Sequence, residues 1–245
     1  MIISVVNEST VVSDTTLLTG IRAIGRQLAE DVAPHWGLTA RLELAATGAG
    51  GTVKTVRGDA IIRVRDKVEA FHSVLDDGFP EGQVFTGVGM LLKATNTFLG
   101  WSVALSHEAI ELLIDPYVNT LVRGPHPNAK REVFYYREVC DPVQQDVYQV
   151  DGVTVSNFVL PSYYAPGRKS PNTNFMGTPL RPFGWTKGGV VGFWDPQKGV
   201  RGGYVTAPDL EKSDVAKKFA LLKKKANASR LMRYARPVRH GSSKR

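Results

Sequence analysis

Between Trp101 and Pro116 the chain reads Trp-Ser-Val-Ala-Leu-Ser-His-Glu-Ala-Ile-Glu-Leu-Leu-Ile-Asp-Pro. Val103, Leu105, Ile110, Leu112, Leu113 and Ile114 make it apolar almost all round, the pattern of a helix packed inside a core. Asp115-Pro116 stops the helix, because the residue before a proline is pushed out of helical geometry. Three ionisable residues, His107, Glu108 and Glu111, sit within this apolar run. A charge without a partner is costly to bury. Any fold that accepts this helix must therefore supply partners for all three.

The spacing suggests what the partner is. His107 and Glu111 are four apart, so an imidazole and a carboxylate stack on one face, one turn above the other. A single cation can bridge them. Glu108 lies about 100° further round the helix, close to that cation but off the ligand line. This is the arrangement of the H-E-x-x-H metalloprotease helix, with Glu at the second ligand position. In that scheme Glu108 is the general base, taking a proton from a metal-activated water. His–Glu pairs also occur on ordinary helices, but those helices show a polar face and this one does not. Asp115, one turn beyond Glu111, is either a further ligand or helix-end punctuation.

A catalytic metal typically takes three protein ligands and leaves a position for water. The third is expected from the next strand. Glu132–Val139 alternates, with Val133, Tyr135 and Val139 on one face, and it delivers Glu138, Cys140 and Asp141 at its end. Glu138 or Asp141 is the natural third ligand, or a carboxylate that orients His107 from behind. Strand periodicity puts Cys140 on the face of Glu138, opposite Val139 and Asp141. A lone cysteine there reads as a small buried apolar residue.

The rest of the chain fits one domain followed by a tail. Residues 1–208 form the body, with 166–208 as a Gly/Pro/aromatic wrap, and residues 209–245 form a basic helix and tail. Ile2–Val6 reads as a buried strand. Ser13 or Asp14 caps an amphipathic helix over 14–33 that ends near Pro34. Arg41–Ala46 and Ala60–Val64 read as strands, with a turn at Gly48–Gly51 between them. His72 falls in a loop and is a candidate for the cleft wall. Gln83–Thr86 reads as an edge strand and Asn119–Arg131 as a polar loop. Val147–Val150 and Val153–Leu160 flank Asp151-Gly152, the signature of a hairpin. Gly189–Trp194 and Arg201–Val205 pattern as a second hairpin.

Charge is concentrated at the C-terminus. The whole chain carries +8, but residues 211–245 hold 12 Lys/Arg against 2 Asp/Glu, about +10, leaving the body near −2. Glu211–Tyr234 reads as a helix with Val215, Phe219 and Leu222 as its apolar stripe. Lys217, Lys218, Lys223, Lys224, Lys225, Arg230 and Arg233 surround that stripe. Such an element binds nucleic acid or an acidic protein surface, or else docks its stripe on the body. The single cysteine excludes an internal disulfide and fits a reducing compartment. The first residues lack the basic and apolar regions of a signal peptide, and no run of about 20 apolar residues spans a bilayer. A cytoplasmic or virion-associated protein is expected.

The order Val5-Val6-Asn7-Glu8-Ser9-Thr10-Val11-Val12-Ser13-Asp14, Ser106-His107-Glu108-x-x-Glu111-x-x-x-Asp115-Pro116, Glu138-Val139-Cys140-Asp141 and Val153-x-Val155-Ser156-Asn157-Phe158 resembles a family of bacterial and bacteriophage proteins regarded as zincin-like metallopeptidases. The helix and its downstream motif are also similar to those of the plant phosphate-induced, exordium-type secreted proteins. The bacterial resemblance covers roughly residues 1–165. It implies an α+β, zincin-like fold: a twisted mixed sheet, a backing helix and an active-site helix. It also implies zinc (or Mn, Fe or Co) held by His107 and Glu111 and completed by Glu138 or Asp141, with Glu108 as base and polypeptide as substrate. The rival expectation is a catalytically silent component, for example of a phage virion, whose basic tail contacts nucleic acid or a neighbouring subunit.

Overall fold

The computed structural model describes residues 1–45, 58–66, 71–75, 78–85, 100–165 and 172–198. Its centre is a five-stranded sheet in the order β2-β1-β3-β5-β4. The strands are β1 (Ile2–Asn7), β2 (Arg41–Leu44), β3 (Ala60–Arg65), β4 (Phe71–Val74) and β5 (Pro80–Phe85). All neighbours pair in parallel except β4, which runs antiparallel to β5 at one edge. The chain is thus mixed α/β. Ile3, Val5, Val6, Ile61, Ile62 and Val64 are buried. Apolar residues on both faces of β1 and β3 are what a parallel sheet covered on two sides requires.

Helix α1 (Asp14–Arg26) backs the sheet. Ser13 caps it, its hydroxyl accepting the Thr16 N–H at 3.2 Å. Leu17, Ile21, Ile24 and Leu28 are buried at the expected spacing. The expected stop at Pro34 does not occur. A π-helical turn, Gln27–Val32, leads into a short second helix, α2 (Ala33–Trp36). Pro34 sits in the first turn of that helix, where a missing N–H is tolerated. The chain leaves at Gly37, whose φ of 67° is the left-handed cap that glycine allows.

The π-turn also places Gln27, which is fully buried. Its amide donates to the Ser156 carbonyl at 2.8 Å and to the Tyr148 hydroxyl at 2.9 Å. Its carbonyl accepts from the Ser106 hydroxyl at 2.7 Å, and that hydroxyl in turn accepts the Ser156 N–H at 3.1 Å. Ser106 directly precedes His107. The network therefore fixes the rotation of the third helix against the backing helix and the strand that carries Ser156. Ser106→Ala leaves Gln27 Oε1 and the Ser156 N–H short of a partner, and should destabilise the fold by about 1–3 kcal/mol. Urea unfolding checks this. Adding Gln27→Ala should cost less than the two single losses combined, because both report on one network.

Helix α3 (Trp101–Ile114) is the expected buried helix, with Val103, Leu105, Ile110 and Leu112 in the core. It packs against β5 and against the strand Val153–Ser156. Close approach to the sheet occurs at Gly82. A Cβ there would lie 3.1 Å from Ile62 Cγ1, 3.2 Å from Leu112 Cδ1 and 3.4 Å from Glu108 Cβ.

Several sequence expectations change in the structure. His72 is not in a loop but on β4, opposite Gly82. The 80–85 strand is interior, and β4 takes the edge. The polar stretch after α3 contains β6 (Leu121–Pro125), which pairs with β7 (Glu132–Tyr136). Pairing to β7, not hydrophobic alternation, holds β6 in place. The 147–160 hairpin forms as β8 (Val147–Val150) and β9 (Val153–Ser156), with Asp151 and Gly152 both at positive φ. Strand β10 (Phe193–Trp194) pairs with β7. Tyr135, Phe183, Val191 and Phe193 form a second apolar cluster there. Within 172–198 the wrap packs on the body, Phe175 stacking on Phe158 with ring centroids 5.1 Å apart. The turn at 48–51, strand 201–205 and the basic helix with Lys217, Lys218, Lys223, Lys224, Lys225, Arg230 and Arg233 lie outside the described residues. Among those described, no helix is long and apolar enough to cross a membrane.

Candidate metal centre

Two elements converge on the helix face that carries His107. One is α3 itself. The other is the chain after β7, where Cys140 leads into a tight 3-10 turn, Asp141–Val143. The strand ends at Tyr136, so the alternation assumed through 141 does not set the direction of Asp141; the turn does. Three backbone tethers hold this segment. The Cys140 N–H donates to Glu111 Oε1 at 3.1 Å, Val190 N–H to the Asp141 carbonyl at 2.9 Å, and Val159 N–H to the Val139 carbonyl at 2.8 Å. Cys140 is fully buried, its thiol directed at the His107 carbonyl at 3.8 Å. That is the packing role expected of it.

His107 Nε2 lies 3.2 Å from Glu111 Oε2 and 3.5 Å from Asp141 Oδ1. The ligand atoms of His107, Glu111 and Asp141 all fall within 4.8 Å of one another. A zinc ion bound about 2.0–2.2 Å from each of three tetrahedral ligands would set those atoms roughly 3.3–3.5 Å apart. The two distances from His107 fall close to that spacing, and the donor types are ones a divalent cation takes. Of the two carboxylates proposed as third ligand, Asp141 is the one in the group. Glu138 is buried, 9% exposed, and is not in the group.

The three side chains differ in exposure: 3% for Glu111 but 15% for both His107 and Asp141. The opening is therefore on the His107–Asp141 side. Burial alone would lower the His107 pKa. The charge of Glu111, with further help from the hydrogen bonds to Asp141 and Glu111, outweighs it and holds the imidazole well above its ordinary value. In the metal-free protein the imidazolium occupies the place between the carboxylates. A cation must displace that proton. Zinc affinity should therefore rise with pH and keep rising above the pH at which an ordinary histidine has titrated. Competition titrations with a zinc chelator between pH 6 and 8 check this.

Glu108, 4% exposed, lies on the sheet side of α3, where its Cβ packs closely over Gly82. His72, across from Gly82 in the register, is on the strand next to that contact. Asp115 lies outside that group. Its two oxygens accept the Asn119 and Thr120 N–H groups at 3.2 and 2.9 Å and the Thr120 hydroxyl at 3.1 Å. It satisfies the backbone beyond the helix end, the punctuation role.

No family model, curated protein or solved structure matches this chain. The centre is therefore read from its own chemistry.

Two features of the site had no signal in the sequence. The Gln27–Ser106–Ser156 network joins three distant segments and depends on a π-turn that propensity does not predict. Tyr164, which closes a 3-10 turn (Pro161–Tyr164) after β9, comes near Glu111 and Glu138 only through the tertiary fold.

Proposed function

We propose that the chain is a metallohydrolase, with zinc held by His107, Glu111 and Asp141, Glu108 as general base and polypeptides as substrates. One observation carries the reading: an imidazole and two carboxylates whose ligand atoms lie within 4.8 Å of one another, two of them on a helix that is otherwise apolar. Burying two carboxylates against one imidazole leaves negative charge that a divalent cation neutralises. A cation bound there supplies Lewis acidity, polarising a carbonyl and lowering the pKa of water. Glu111 and Asp141 fix its position, the former through the Cys140 N–H. Glu108, one residue from His107, accepts the proton. The peptide substrate and the zincin-like assignment come from the motif order. The sheet, the backing helix α1 and the site-bearing helix α3 are in keeping with that layout.

The test is cleavage of a peptide library. Zinc-dependent hydrolysis, abolished by a chelator and restored by zinc, is expected. Cleavage that is indifferent to the chelator would exclude the metal mechanism.

The charge of residues 211–245 favours a second reading, in which the protein binds nucleic acid through its tail and does no chemistry. Counterion release then predicts binding that falls steeply between 50 and 200 mM salt and is lost on deleting 211–245. Salt-independent or undetectable binding removes this reading.

A further inference from the structure

Asp141 comes to the centre on the 3-10 turn Asp141–Val143, and the aromatic wrap grips that turn. Val190 N–H donates to the Asp141 carbonyl and Thr186 N–H to the Pro142 carbonyl, both at 2.9 Å. Gln144 Nε2 reaches back and donates to the Gly188 carbonyl at 2.9 Å. Within the wrap, Gly189 N–H donates to the Thr186 carbonyl at 2.9 Å, which closes residues 186–189 into a turn of their own. Gly188 supplies the positive φ, 80°, that this turn needs. Val190 and Val191 are buried and anchor it from behind.

Gly189 is where the two turns touch. A Cβ there would overlap the Pro142 carbonyl, 2.7 Å from its carbon, and would lie 3.1 Å from the Thr186 carbonyl oxygen. Both obstacles are backbone, so neither can swing aside. Restoring ordinary contact requires the turns to part by about 1 Å.

That shift falls on Asp141. The Pro142 carbonyl is one residue away, and the proline ring holds φ between them. The aspartate side chain is short, so its carboxylate follows its backbone. On the other side, the Cys140 N–H is held by Glu111 Oε1 at 3.1 Å. Residues 140–142 are thus pinned between α3 and the wrap, with Asp141 Oδ1 3.5 Å from His107 Nε2. Metal–ligand distances tolerate about 0.2 Å, far less than the displacement a methyl group at Gly189 imposes.

We propose that Gly189 is a positioning residue of the metal centre: its lack of a side chain lets the wrap seat the 141–143 turn so that Asp141 reaches a cation held by His107 and Glu111. The inference rests on the metal reading above and deepens it, making residues 186–190 a part of the centre.

The experiment uses the full chain, with Gly189→Ala and Gln144→Ala beside the parent. Zinc affinity is read by competition with a chelator, and the ligand set by the visible bands of bound cobalt(II). Circular dichroism establishes that each variant is folded. Gly189→Ala is expected to lower zinc affinity by about 10–100-fold, the loss usual when a support of a metal ligand is removed, and to shift the cobalt bands. Gln144→Ala removes one solvent-exposed tether and should lower zinc affinity by about threefold. Parent-like zinc affinity and cobalt bands in folded Gly189→Ala, whatever its melting temperature, overturn the assignment and leave the metal centre standing. If Gly189→Ala does not fold, Gln144→Ala decides, and unchanged zinc affinity there overturns it. A parent that takes up no zinc overturns both readings together.

Discussion

Glu108→Gln should abolish most turnover and leave the metal in place. The substitution keeps the volume and a hydrogen-bonding head, so the contact above Gly82 is preserved. It removes only the capacity to accept a proton. General-base catalysis is worth about 10²–10⁴-fold, so zinc-dependent cleavage should fall by that factor at unchanged zinc content. Glu108 takes no part in the group formed by His107, Glu111 and Asp141. A loss of zinc in this variant would instead make Glu108 a ligand, and full activity would remove it from the chemistry.

The second large effect is at Glu111. This carboxylate has two tasks. Oε2 faces His107 at 3.2 Å, and Oε1 accepts the Cys140 N–H at 3.1 Å. Its side chain is 3% exposed. Glu111→Ala should therefore eliminate zinc binding and also weaken the metal-free fold by about 1–3 kcal/mol, since the buried Cys140 N–H loses its acceptor and His107 keeps only Asp141. Asp141→Ala should lose zinc with a smaller stability cost, because Asp141 is 15% exposed and water can replace it. Urea unfolding in the presence of a chelator separates the two variants. Equal destabilisation by both would mean that the Cys140 tether carries little of the stability assigned to it.

The sequence made the helix legible because its signal is local. An apolar run with His and Glu four apart reads as a buried helix with both residues on one face, and α3 carries His107 and Glu111 in that way. The 151–152 hairpin and the Ser13 cap were readable for the same reason: their determinants lie within a few residues. The choice between Glu138 and Asp141 was not readable. It depends on where β7 stops and how the 3-10 turn at 141 swings the next side chain. Strand β4 escaped notice because Phe71–Val74 is short and acquires its strand character by pairing with β5. Strand β6 escaped because Gly124 and Pro125 read as loop, although the Phe183 ring packs against Gly124 and requires its lack of a side chain. Asp115 read as either a further ligand or helix-end punctuation, and its bonds to Asn119 and Thr120 are those of the second.

The most direct measurement is elemental analysis of the full chain and of His107→Ala, each incubated with zinc and then dialysed. The account predicts close to one zinc per chain in the parent and none in the variant. A parent without zinc, or a variant that keeps it, would contradict the centre at His107, Glu111 and Asp141.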